Sequence, residues 1–89
     1  MVNNMLYSYT TSLTASNAEF KKTCTAIENG VNGIQKGKLL IDVDGSMVRV
    51  YNVAGKTIEV FDDYNIDAVY VDSEVDLSGI IESKVLLEG

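Results

Sequence analysis

Residues 38–72 read KLLIDVDGSMVRVYNVAGKTIEVFDDYNIDAVYVD. Apolar residues recur along this stretch with a period of two, the repeat of a strand with one buried face. Asp44-Gly45 breaks the pattern once and Ala54-Gly55-Lys56 breaks it again. Both breaks are too short for a crossover, so both are hairpin turns. Strands are expected over residues 38–43, 47–53, 57–61 and 68–72, with 62–66 as a polar loop. In the second of these, Val48 and Val50 share one face, and Arg49 and Tyr51 share the other.

Two elements are expected before this meander. Residues 5–13, MLYSYTTSL, alternate as a strand rich in aromatic and β-branched residues. Ser16-Asn17-Ala18-Glu19 then reads as a capping box. The Ser16 hydroxyl would accept from the Glu19 amide while the Glu19 side chain reaches back to the Ser16 amide. Phe20, Cys24, Ile27, Val31 and Ile34 follow at helical spacing, one apolar stripe with Lys21, Lys22, Thr25 and Glu28 outside it. This helix ends near residue 29 or runs on to residue 35. Gly30 and Gly33 each weaken its last turns by about 1 kcal/mol relative to Ala.

The segment after the meander reads two ways. Val75, Leu77, Gly79, Ile81, Ser83, Val85 and Leu87 alternate with mostly polar residues and suit a strand over 80–88, bulged at Gly79. Leu77, Ile80, Ile81 and Val85 also suit a short helix starting near Asp76. The fold class is α+β: one domain over 1–89, with one helix on a mainly antiparallel sheet of four to six strands, in the order β-α-β-β-β-β. The sheet face away from the helix is then solvated or covered by a second copy. Tyr51, Phe61, Tyr70 and Leu40 are its candidate residues.

Composition narrows function. The chain of 89 residues carries a formal charge of −6, unevenly spread. Residues 1–41 hold four Lys and two Glu, whereas residues 42–89 hold eleven acids and three bases. Nucleic acid is a poor partner for such a surface, because binding it requires a basic face. A basic protein surface is the better match, and solubility alone is the plainer account of the charge. No apolar run approaches the ~20 residues of a membrane helix. The start of the chain has no basic stretch followed by an apolar core, and Cys24 is the only cysteine, so a reducing, cytoplasmic setting is expected.

There is no His, which removes imidazole bases, Ser-His and Cys-His pairs and the commonest metal ligand. Neither a metal nor a cofactor is expected. Leu39-Leu40-Ile41-Asp42-Val43-Asp44-Gly45-Ser46 nevertheless resembles the first motif of the haloacid dehalogenase-like phosphatases. The resemblance implies Asp42 as nucleophile, Asp44 as general acid/base, bound Mg²⁺, and Asp62-Asp63 as the later acid pair. It covers about eight residues. That fold needs helical crossovers around a parallel sheet, while the connections after Val43 and Val53 have hairpin length. The competing reading is an Asp-Gly β-turn. The same residues do not make an EF-hand, because Met47, Val48 and Val50 are apolar and Val53 stands where the loop needs its Glu ligand.

Residues 57–76 hold seven carboxylates and no Lys or Arg. Glu59, Asp62, Asp63, Asp67, Asp72, Glu74 and Asp76, with Tyr64 as an exposed aromatic among them, are the candidate partner-binding residues. If the strands carrying Glu59 and Asp72 are neighbours, their carboxylates stand about one strand spacing apart, ~4.8 Å, and repel. The expectation is a non-enzymatic acidic binding protein that docks on a basic, nucleic-acid-binding surface of a partner as a mimic of nucleic acid. Small acidic viral antagonists of host nucleases, anti-CRISPR proteins among them, resemble it in size and charge, with no shared motif. A homo-oligomeric assembly subunit, or at least a homodimer, is the alternative. The phosphatase is the remote one.

Overall fold

The computed structural model describes residues 5–84. The elements run β1 (Tyr7–Ser12), α1 (Asn17–Gly30), β2 (Gln35–Ile41), β3 (Met47–Val53), β4 (Lys56–Asp63) and β5 (Ala68–Ser73). All five strands form one antiparallel sheet in the order β1-β5-β4-β3-β2. The meander β2 to β5 is the one expected, with alternate burial clear in β4 and β5. β2 starts at Gln35 rather than at residue 38, and β4 runs on through Asp62 and Asp63, which were expected in a loop. β1 adds to the sheet beside β5. The α+β class and the order β-α-β-β-β-β are those expected from the sequence.

Turn chemistry sets the register. Val53 pairs with Lys56, so Ala54-Gly55 is a two-residue hairpin turn, and both residues have positive φ, 50° and 79°. Glycine adopts that conformation freely and alanine does not. At the β2–β3 turn, Asp42 donates its amide to Ser46 O and accepts from the Gly45 amide. The Asp-x-Asp-Gly-Ser stretch is therefore a hairpin tip, and the parallel, helix-flanked sheet implied by the phosphatase resemblance is absent from the described residues.

α1 lies over β4 and β1. Phe20, Cys24 and Ile27 of its stripe are buried against Tyr9, Tyr51, Ile58, Val60, Val69 and Val71. The helix stops at Gly30, and Val31 caps it by donating its amide to Ile27 O. Half of the expected capping box forms: Ser16 Oγ accepts from the Glu19 amide at 3.2 Å. The reciprocal bond does not, because the Ser16 amide donates to Asp62 Oδ1 at 3.0 Å.

After β5 the chain makes a short helical turn rather than a bulged strand. Ile80 and Ile81 both donate to Leu77 O, and Asp76 Oδ1 accepts from the Ser78 amide. Leu77 and Ile81 then fill the core beside Ile27. Residues 83–84 run along the outer edge of β1, where Lys84 N donates to Thr10 O and Thr10 N donates to Ser83 Oγ. Residues 85–88 of the expected strand lie outside the described residues.

Tyr51 requires a correction. The register pairs it with Ile58, which puts it on the helix side, fully buried, and its hydroxyl donates to Glu28 Oε2. The arrangement holds Glu28 below the usual carboxylate range, first through the Tyr51 hydroxyl and then through Lys36 at 3.5 Å. Burial and the Glu28 bond together push the Tyr51 phenol well above its ordinary value.

Candidate protein-binding face

Strand alternation divides the sheet into two faces. Toward the helix point Tyr51, Ile58, Val60, Val69 and Val71. Away from it point Val48 and Val50 of β3, Glu59 and Phe61 of β4, and Tyr70 and Asp72 of β5. No described element packs over this second face, and its residues are half-buried.

Glu59 and Asp72 stand directly opposite across β4 and β5. Burial first, and then the charge of Asp72, push the Glu59 carboxyl above its ordinary value of 4.5. Among the described residues the one side-chain ion pair is Lys36–Glu28, on the helix side, so no Lys or Arg of the described chain bonds this pair. Asp72 takes a hydrogen bond from Ser8 Oγ at 3.1 Å.

Beside the acids lies an aromatic platform. Phe61 and Tyr70 face each other across the same two strands, centroids 4.6 Å apart and planes inclined by 13°. The Tyr70 hydroxyl donates to Asp63 Oδ2 at 3.1 Å. Burial and that carboxylate push the phenol up to about 12. Asp63 Oδ1 meanwhile accepts from the amides of Asn65 and Ile66, fixing the β4–β5 turn. Phe61, Tyr70 and Asp63 line one side of an open cavity of about 400 Å³, with Asp42, Asp44 and Ser46 of the β2–β3 hairpin on the other.

The eight candidate residues are thus divided. Glu59, Asp63 and Asp72 gather on the open face, and Tyr64 stands exposed at the adjoining hairpin tip, its amide bonded to Ser46 Oγ. Asp62 points the other way and is fully buried, so it offers no contact surface. Its Oδ1 holds the Ser16 amide, and its Oδ2 has no hydrogen-bond partner. Asp67, at φ 61°, accepts from the Ala15 amide. Glu74 accepts from the Thr57 amide at 2.8 Å, and Asp76 from Tyr9 Oη at 3.2 Å and from the Ser78 amide. Each of these four accepts a backbone amide, so they tie segments of the chain together.

Val48 and Val50, opposite Phe61 and Glu59, complete the face; the sequence puts them together against Tyr51, but with the face of Tyr51 expected to be the open one. Their alternation against Arg49 was the available signal. Among the described residues no three Asp, Glu or Cys side chains come together as a metal set, and no described helix is long and apolar enough to cross a membrane. Cys24 is buried, and burial raises its thiol pKa. No protein-family model, curated protein or solved structure matches this chain.

Proposed function

We propose that this chain is a non-enzymatic protein-binding module whose acidic sheet face docks on a basic surface of another protein. The observation that carries the reading is the Glu59–Asp72 pair: two like charges held opposite each other beside an aromatic stack, with no cation of the described chain between them. Directly opposed like charges destabilise a sheet. A Lys or Arg brought by a partner relieves that repulsion, and the faces of Phe61 and Tyr70 offer it a cation–π contact. Mechanistically the module occludes the partner's basic surface. Attraction between opposite fields speeds encounter, so the on-rate falls with salt.

The finer reading is that the basic surface is one that otherwise holds nucleic acid, and that the module acts as an antagonist of the type the small viral anti-nuclease and anti-CRISPR proteins represent. Size, net charge and the missing His support that reading. The alternative, a homo-oligomeric assembly subunit, is favoured by one observation, the outer edge of β2, with which nothing described pairs.

Affinity capture from the native cell lysate tests the proposal, with the wild type beside the double variant Glu59→Gln/Asp72→Asn. A basic protein retained at low salt, released at high salt and missed by the double variant is expected. Retention of an acidic protein, or binding indifferent to salt and to both substitutions, overturns it.

A further inference from the structure

The two edges of the sheet are treated differently. At β1 the outer N–H and C=O of Thr10 are occupied by Ser83 and Lys84. At β2 nothing described pairs with the outer edge, and all seven of its residues are exposed. Three of them are large and apolar: Leu39, Leu40 and Ile41, at 38, 54 and 66 % exposure. A bare apolar edge of this kind is a template for another strand.

We infer that β2 pairs antiparallel with β2 of a second copy, joining two five-stranded sheets about a two-fold axis at Leu40. The register follows from backbone and charge. Asp42 directs its amide inward to Ser46 O, so by alternation Leu40 also faces β3 while the N–H and C=O of Leu39 and Ile41 point outward. Centring the axis on Leu40 sets Leu39 against Ile41 of the second copy as a hydrogen-bonded pair. The same register sets Lys38 against Asp42 of the second copy, twice over by symmetry. Those two lie at non-hydrogen-bonded positions, where Cα atoms come within about 4.5 Å and side chains are closest. One end of the edge is basic and the other acidic, so the strand complements itself in the antiparallel sense only.

The extent of the contact is bounded by the bulge between Lys36 and Leu39. There Gly37 lies so close to β3 that a Cβ would meet Val50 O at 2.8 Å. Bulges and edge lysines blunt a strand against open-ended pairing. Here they confine it to the segment 38–42 and so to a closed dimer.

Charge reversal tests this register. Sedimentation across micromolar to millimolar protein should show a reversible wild-type dimer. Lys38→Asp alone and Asp42→Lys alone should each weaken it by about tenfold, since both symmetric pairs become repulsive. Mixing the two variants should restore association as a heterodimer, because every 38–42 pair is then opposite in sign. That restoration also shows both variants folded. A wild type monomeric throughout, a dimer indifferent to either reversal, or a mixture that fails to associate overturns the inference.

Discussion

At Glu59 the chain keeps a carboxylate whose charged form is disfavoured by burial and by Asp72. Its pKa is raised in the fold, so the folded state binds a proton that the unfolded chain releases. Stability from that proton is present at acid pH and is lost as pH rises from 4.5 through the raised value. Glu59→Gln is therefore expected to stabilise the protein at pH 7 by about 0.5 kcal/mol, and less below pH 4.5. Thermal melts at the two pH values check it, and a loss of stability at neutral pH would contradict it. Ala54 is a second residue at odds with its position. Its φ of 50° suits Asn better than Ala. Ala54→Asn should stabilise by about 0.5–1 kcal/mol, read as a higher Tm with unchanged circular dichroism.

At the scale of elements, Asp62 fastens the start of α1 to the end of β4. Asp62→Ala should cost about 2–3 kcal/mol, because the Ser16 amide loses its partner and the vacated volume is buried. Denaturant midpoints measure it, and a change under ~0.5 kcal/mol would argue against the anchoring role. The Ser16 cap on the Glu19 amide was legible, but Asp62, which takes the Ser16 amide in place of the Glu19 side chain, was not, since it lies 46 positions away. The strands were legible because their repeat is local. Residues 75–81 were not, because Leu77 and Ile81 satisfy both periods and only the bonds of the Ile80 and Ile81 amides to Leu77 O decide between them. The acidic run misled for the same reason. Spacing shows that seven carboxylates are near in sequence, while hydrogen bonds to Ala15, Ser16, Thr57 and Ser78 decide which four serve the fold.

For the whole molecule, polarity is arranged by layer. The helix side buries its phenols and the open side gathers acids around Phe61 and Tyr70. Tyr9, Tyr51 and Tyr70 all titrate above the ordinary 10.0. Their contribution to stability is complete below pH 10 and is lost as pH rises through the folded values, about 12 for Tyr70. Alkaline unfolding should therefore steepen above pH 10, and Tyr70→Phe should flatten part of it. Followed by absorbance of the phenolates and by circular dichroism together, the two signals are expected to change in step.

The central claim is that the uncovered face recognises clustered positive charge. A titration of the isotopically labelled protein with a short oligo-arginine peptide, followed by amide chemical shifts, addresses it without knowledge of the partner. The account predicts shifts concentrated at Glu59, Phe61, Tyr70 and Asp72, abolished by high salt and by Glu59→Gln/Asp72→Asn. Shifts spread evenly over all exposed acids, or centred on the helix, would contradict it.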